Sequence, residues 1–104
     1  DPKIGDCLPL ESSPATDGQR EQLLTVCSAA SNAEEVAFRQ QKFPQAVAED
    51  MEGFGVALAC RLAGLPLRIV RGISNRAGDR QTQNWCIRPA MESAVDLTRR
   101  LLEL

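Results

Sequence analysis

The sequence has no histidine and no pair of cysteines at the CxxC spacing. Without histidine a Ser-His-Asp triad cannot form, and the commonest transition-metal ligand is missing. Acid–base chemistry is then left to carboxylates, amides and backbone groups. The four cysteines are far apart, and two lie in apolar runs where a free thiol packs as a small hydrophobe: Cys7, Cys27, Cys60 and Cys86. We therefore predict reduced, structural cysteines and no metal site.

The sequence also lacks a surplus of basic residues and a long apolar run. Twelve Lys and Arg stand against 14 Asp and Glu, which gives a formal net charge of −2 and argues against binding to nucleic-acid phosphates. No run approaches the ~20 apolar residues that cross a bilayer. We expect a cytoplasmic protein that binds neither nucleic acid nor membrane. Because the first residues are Asp-Pro-Lys, without a methionine, we also expect a piece of a longer chain.

Composition divides the chain near residue 21. Residues 1–21 contain three prolines and two glycines, which predicts a loop or linker. From residue 22 onward, short apolar runs predict strands over residues 23–27, 46–48 and 65–73, and the last of these has the clearest strand composition. We assign residues 22–104 to one domain.

Helices are predicted between and after these strands. Asn32 can cap a helix that ends near Lys42, before Pro44. Residues 53–61 predict a helix of small residues ended by Gly64, and Pro89 suits the first turn of a last helix. Alternating strands and helices predict an α/β fold.

Ligands of α/β sheets bind beyond the carboxyl ends of the strands, so three segments are candidates for a binding site. They are Ser28–Ala30, Glu49–Glu52 and Ser74–Arg80. Each follows a predicted strand. We therefore expect one shared pocket.

Three carboxylates, Glu49, Asp50 and Glu52, crowd the start of the second predicted helix. One interpretation is that they interact with the helix dipole, worth about 0.3–1 kcal/mol each. The alternative is a sugar site. The carboxylates repel one another, and Met51 places an apolar side chain among them, so hydroxyls could donate to oxygen while the ring packs on the methionine.

The segment from Arg71 to Arg80 also has two interpretations. It could be a solvated loop held together by pairing of Arg and Asp. Alternatively, the amide of Asn75 both donates and accepts, and so could meet a purine edge that presents N7 and a 6-oxo group.

These motifs, in this order and spacing, resemble those of futalosine hydrolases, in the superfamily of nucleoside phosphorylases and nucleosidases. The resemblance covers about residues 22–104 and rests on Glu49-Asp50-Met51-Glu52-Gly53, Gly64-Leu65-Pro66, Arg71-Gly72-Ile73-Ser74-Asn75, Gly78-Asp79-Arg80 and Trp85. It implies that the chain is the C-terminal half of a three-layer α/β/α nucleoside phosphorylase-like fold with a mixed central sheet.

The resemblance also implies roles for individual residues. Met51 would pack against ribose, Glu52 would bind its 2′- and 3′-hydroxyls, and Asn75 would be the catalytic residue that contacts the base at N7 and O6. The backbone of Ser28, Ala29 and Ala30 would also bind the base. Supporting residues would be Arg71, Ser74, Asp79, Arg80 and Trp85.

The implied reaction is hydrolysis of the N-glycosidic bond of futalosine to hypoxanthine and dehypoxanthine futalosine, in menaquinone biosynthesis, without a cofactor or metal. The superfamily's N-terminal half supplies a glycine-rich loop and a glutamate that positions water. We therefore expect this chain to be inactive alone, to pair with that half or with itself, and to form a homo-oligomer. The alternatives are a methylthioadenosine/S-adenosylhomocysteine nucleosidase, a purine nucleoside phosphorylase, and a non-catalytic nucleoside-binding or structural domain.

Overall fold

The computed structural model describes residues 5–11 and 21–102, and over those residues it has three α-helices and two strands. The elements in chain order are β1 (Gln22–Thr25), α1 (Ala33–Lys42), β2 (Ala46–Asp50), α2 (Gly53–Leu62), a short 3₁₀ turn (Thr82–Asn84) and α3 (Ile87–Leu101). The α/β class predicted from the sequence is therefore confirmed. Most of the predicted linker over residues 1–21 lies outside the described residues.

The two strands pair in parallel and are connected by α1. The pairing register places Leu24 opposite Glu49 and Thr25 opposite Asp50. Because both strands run in the same direction, their carboxyl ends lie side by side. The segments that follow β1 and β2 therefore leave the sheet at the same edge.

Capping determines where α1 begins. The Asn32 side chain accepts a hydrogen bond from the Glu35 backbone N–H at 2.9 Å, and Glu35 accepts from the backbone N–H and hydroxyl of Ser31 at 3.0 and 2.8 Å. This satisfies donors that a helix N-terminus otherwise leaves unpaired. The helix ends at Lys42, shortly before Pro44. The predicted helix from Asn32 to Lys42 is confirmed.

Small residues allow α2 and α3 to approach the rest of the chain closely. Gly53 and Ala57 are the buried residues of α2, and Ala90 is the buried residue of α3. The backbone of Ala90 lies so close to Gly72 that an added Cβ at Gly72 would overlap the Ala90 carbonyl. Pro89 lies in the first turn of α3, where its missing N–H costs nothing. Both predicted helices are confirmed.

The predicted strand over residues 65–73 is wrong, because the structure assigns no strand there. A strand requires a paired neighbour, and within the described part of the chain the only ladder joins β1 to β2. The segment's backbone instead makes isolated hydrogen bonds, from Leu65 N to the Cys60 carbonyl at 2.8 Å and from Glu11 N to the Leu67 carbonyl at 2.9 Å. The apolar composition of this segment indicates a tendency to be buried without specifying a pairing partner.

The described residues bury little apolar volume. Their buried hydrophobic residues are the alanines Ala30, Ala57 and Ala90, while Met91 and Val95 of α3 are exposed. Large exposed side chains are also found elsewhere, including Val47, Val56, Leu65 and Ile73. Among the helices that the structure describes, none has the length and apolar content needed to cross a bilayer.

Gly78 provides a test of the contact between the loop after residue 75 and the start of α1. Its φ is +88°, and an added Cβ would lie 2.9 Å from the carbonyl carbon and oxygen of Asn32. We expect Gly78→Ala to lower the free energy of unfolding by about 1–3 kcal/mol, because it adds both backbone strain and a steric overlap. Urea denaturation monitored by circular dichroism measures this change.

The matched control is Gly55→Ala, since Gly55 lies within α2 and an added Cβ there meets no atom within 4 Å. This change should stabilise the protein by roughly 0.5–1 kcal/mol through helix propensity. Equal effects of the two substitutions would contradict the packing described for Gly78.

Candidate functional site

The carboxylate of Asp50, at the end of β2, connects three parts of the chain. One oxygen, Oδ1, accepts hydrogen bonds from the Thr25 hydroxyl at 2.9 Å and from the Gly53 backbone N–H at 3.1 Å. The other, Oδ2, accepts from Arg71 Nη2 at 2.9 Å. The side chain of Asp50 is only 8% exposed. Thr25 in turn accepts from the Phe54 N–H at 2.8 Å, so the ends of both strands are joined to the start of α2.

Arg71 links this carboxylate to Glu52. Its Nη2 also donates to Glu52 Oε2 at 3.1 Å, so one guanidinium lies between two carboxylates. The Glu52 side chain is 65% exposed, and its Oε1 has no hydrogen-bond partner within the residues that the structure describes. Met51 is also exposed. An exposed carboxylate can accept hydrogen bonds from hydroxyl groups, and an exposed thioether can pack against an apolar ring face.

Glu49 belongs to a separate cluster. Its Oε1 accepts from the Ala30 backbone N–H at 2.8 Å, and its Oε2 pairs with Arg39 Nη1 at 2.6 Å. Arg39 also donates to the Ser28 carbonyl at 2.9 Å. We call Asp50, Thr25, Glu52 and Arg71 the Asp50 cluster, and Glu49, Arg39, Ser28 and Ala30 the Glu49 cluster. The two clusters are adjacent because Glu49 and Asp50 are consecutive.

The third predicted segment lies in a loop over residues 74–85, the Asn75 loop. Asn75 Oδ1 accepts from the Ser74 hydroxyl at 2.6 Å, and Nδ2 donates to the carbonyls of Arg76 and Asp79 at 3.1 and 3.5 Å. Trp85 Nε1 donates to the same Asp79 carbonyl at 2.9 Å. The amide of Asn75 therefore stabilises its own loop.

The Asn75 loop also contacts the start of α1. Gly78 approaches Asn32 closely, and the positive charge of Arg80 acts on Glu35. Hydrogen bonds from the Ser31 backbone and hydroxyl lower the pKa of Glu35, and the positive charges of Arg39 and Arg80 lower it further. The loop is thereby attached to the helix that follows Ser28–Ala30.

The structure therefore brings some of the predicted site residues together and keeps others apart. Arg71 contacts Glu52 directly, whereas no hydrogen bond within residues 21–102 joins Asn75 to Glu52 or to the Ser28–Ala30 segment. The Asn75 loop and the Asp50 cluster are neighbours through the short segment from Arg71 to Ser74. Two open grooves of about 430 and 450 Å³ run along residues 64–68, and none of their lining residues belongs to the clusters.

Sequence reasoning missed Thr25 and Arg39. Thr25 could have been found from the strand register, since a hydroxyl ending β1 lies opposite the carboxylate ending β2. In the structure Val36 and Arg39 are the half-buried residues of α1. Arg39 turns inward because Glu49 provides a partner that helical periodicity cannot reveal.

Comparison with known protein families gives one family match. Residues 19–104 match the Phosphorylase superfamily.

Comparison with curated proteins gives relatives of two kinds. The chain is 34% identical over 87 residues to a futalosine hydrolase of Streptomyces coelicolor, covering 84% of this chain and 37% of that protein. It is 33% identical over 90 residues to a futalosine hydrolase of Acidothermus cellulolyticus, covering 86% of this chain and 30% of that protein. It is also 34% identical over 70 residues to a 5′-methylthioadenosine/S-adenosylhomocysteine nucleosidase of Bacillus pumilus. This match covers 65% of this chain and 30% of that protein. The chain thus spans about a third of the length of these relatives. No solved structure gives a significant match.

The contacts of the Asp50 cluster predict that a small chemical change at Asp50 lowers the free energy of unfolding substantially. Asp50→Asn keeps the size of the side chain but removes the charge that Arg71 pairs with, and hydrogen bonds to charged groups are worth about 1.5–3 kcal/mol. We expect a loss of roughly 2 kcal/mol in the free energy of unfolding. Urea denaturation near neutral pH measures it.

Asp96→Asn is the control, because Asp96 pairs with Arg100 on the exposed surface of α3. Exposed pairs contribute little, so we expect no measurable change. A loss at position 50 as small as that at position 96 would show that Asp50 is an ordinary surface charge.

Proposed function

Because the chain belongs to the phosphorylase superfamily, we propose that its full-length protein hydrolyses the N-glycosidic bond of a purine nucleoside. Futalosine is the proposed substrate, and hypoxanthine and dehypoxanthine futalosine are the proposed products, in the cytoplasm and in the pathway to menaquinone. The two futalosine hydrolases among the relatives support this choice. The observation that carries it is the exposed Glu52 carboxylate, which follows the exposed Met51 in the chain and is held by Arg71 at the carboxyl edge of the strand pair.

The ribose is proposed to bind at Glu52 and Met51. Arg71 contacts only Oε2 of Glu52, which leaves Oε1 to accept hydrogen bonds from the 2′- and 3′-hydroxyls. Cleavage passes through an oxocarbenium-like state, in which hydrogen bonds to the sugar hydroxyls strengthen. A fixed negative charge near the ribose also favours the positive charge that develops on the ring. Glu52 therefore contributes more in the transition state than in the ground state.

The base is proposed to bind at Asn75. Its Nδ2 makes a long contact with the Asp79 carbonyl, and this N–H can turn to donate to N7 or O6 of hypoxanthine. Donation to the leaving base stabilises the charge that the base acquires as the bond breaks. Ser74 and Trp85 would hold the loop in place through their hydrogen bonds to Asn75 and to the Asp79 carbonyl.

The rest of the reaction is assigned to the remainder of the full-length protein. Glu49 and Asp50 already pair with Arg39 and Arg71, so neither is proposed to activate water. A complete three-layer domain with a mixed sheet would give residues 65–73 a strand partner and would cover the exposed apolar residues of α3, such as Met91. We propose that this domain assembles as a homo-oligomer.

A second candidate is a methylthioadenosine or S-adenosylhomocysteine nucleosidase, which the Bacillus pumilus relative favours. The two candidates differ in the base that leaves. An amide at position 75 can donate to both N7 and O6 of a 6-oxopurine, whereas a 6-amino group presents a donor where O6 would accept. This favours hypoxanthine over adenine.

Glu52→Gln tests the ribose site. Replacing the carboxylate with an amide keeps the shape but loses a charge-assisted interaction worth roughly 2 kcal/mol, so kcat/KM on futalosine should fall about 30-fold. Glu92→Gln is the control, because Glu92 on α3 is 68% exposed and, like Glu52, pairs with a single arginine. If Glu52→Gln retained the wild-type kcat/KM, Glu52 would be only a charge at the start of α2.

Asn75→Asp tests the base. An ionised aspartate cannot donate and repels O6, so the ratio of kcat/KM for futalosine to that for 5′-methylthioadenosine should fall by orders of magnitude. Asn84→Ala, in the same loop, controls for a general disturbance and should leave the ratio unchanged. A ratio within about twofold of wild type in folded Asn75→Asp protein would remove Asn75 from the site.

A further inference from the structure

The Ser28–Ala30 segment is held at both of its ends by a single ion pair. Arg39 Nη2 donates to the Ser28 carbonyl at 2.9 Å, and Glu49 Oε1 accepts from the Ala30 N–H at 2.8 Å. Arg39 Nη1 and Glu49 Oε2 are 2.6 Å apart. The ion pair thus bridges the segment after β1, the last turn of α1 and the end of β2.

This ion pair is more enclosed than the surface pairs of α3. The side chains of Arg39 and Glu49 are 25% and 16% exposed, whereas those of Arg88 and Glu92 are 91% and 68% exposed. A partly buried, hydrogen-bonded pair is screened less by solvent and holds its partners more firmly than an exposed one. Ala30, which the pair contacts directly, is 1% exposed.

Peptide planarity extends the effect of the ion pair to Ala29. In a trans peptide the carbonyl and the N–H point in opposite directions within one plane. Fixing the Ser28 carbonyl toward Arg39 therefore turns the Ala29 N–H away from the ion pair. Fixing the Ala30 N–H toward Glu49 turns the Ala29 carbonyl away in the same manner.

We infer that Arg39 and Glu49 are positioning residues that orient the N–H and carbonyl of Ala29 toward the purine base. Among the described residues, the backbone of Ala29 takes part in a single hydrogen bond. The Ser28 hydroxyl donates to the Ala29 carbonyl over a long distance of 3.5 Å. One donor and one acceptor on the same residue match a purine edge that presents an acceptor beside a donor. The inference rests on the proposed function, because it takes the base as the ligand.

Arg39→Met is the main test in the full-length protein, since it keeps most of the apolar stem and removes the guanidinium. We expect the KM for futalosine to rise about tenfold with a change in kcat of less than about threefold, because base binding weakens while the ribose contacts remain. Amide hydrogen exchange measured by NMR should show faster exchange at Ala30. Arg88→Met is the matched control and should change neither quantity.

Two further variants separate positioning from charge and from folding. Arg39→Lys keeps the charge but cannot bridge Glu49 and the Ser28 carbonyl with a planar fork, so it should resemble Arg39→Met. The double variant Arg39→Met with Glu49→Gln leaves no unpaired buried charge, and should raise KM while the protein remains folded by circular dichroism. Full rescue by lysine would overturn the inference.

The possible outcomes distinguish this inference from the proposed function. If the wild-type protein cleaves futalosine and Arg39→Met leaves both KM and Ala30 exchange unchanged, the inference alone is overturned. If the wild-type protein neither binds nor cleaves a purine nucleoside, the proposed function and the inference both fall.

Discussion

The fold around the candidate site depends on the carboxylate of Asp50. This one group accepts hydrogen bonds from the end of β1, from the start of α2 and from Arg71, and it is almost fully buried in doing so. A buried carboxylate is tolerated only when its oxygens are satisfied, and here each oxygen has at least one donor. The same contacts fix where Met51 and Glu52 leave the strand. The structural role of Asp50 and the proposed binding role of its neighbours are thus physically connected.

The three clustered carboxylates have different partners. Glu49 pairs with Arg39, Asp50 pairs with Arg71, and Glu52 shares Arg71 while remaining open to solvent. Two arginines therefore offset most of the repulsion that three adjacent acids would otherwise suffer. The helix-start and sugar-site interpretations of these three carboxylates are compatible. Asp50 accepts a hydrogen bond from the first residue of α2, while Glu52 keeps an accessible oxygen.

The described residues are held together largely by polar contacts and small residues. Ala30, Ala57 and Ala90 are buried, and Gly72 lies directly against Ala90, whereas larger apolar side chains such as Met91 and Ile73 face outward. Alanine burial supplies little hydrophobic free energy compared with that of leucine or phenylalanine. This agrees with a chain that spans about a third of the length of its relatives, and the proposed complete domain would bury the remaining apolar surface.

Local chemistry in the sequence determined the helices and the position of the candidate segments. The Asn32 cap, Pro44 and Pro89 act over one helical turn, so the bounds of α1 and the start of α3 could be predicted from neighbouring residues. The sequence motifs also located Met51, Glu52 and Asn75, whose roles stay predictions. Only the tertiary structure decided that residues 65–73 lack a strand partner, that Arg39 reaches Glu49 and that Thr25 reaches Asp50. These contacts join residues that are distant in sequence, and hydrophobic periodicity carries no information about which distant groups will meet.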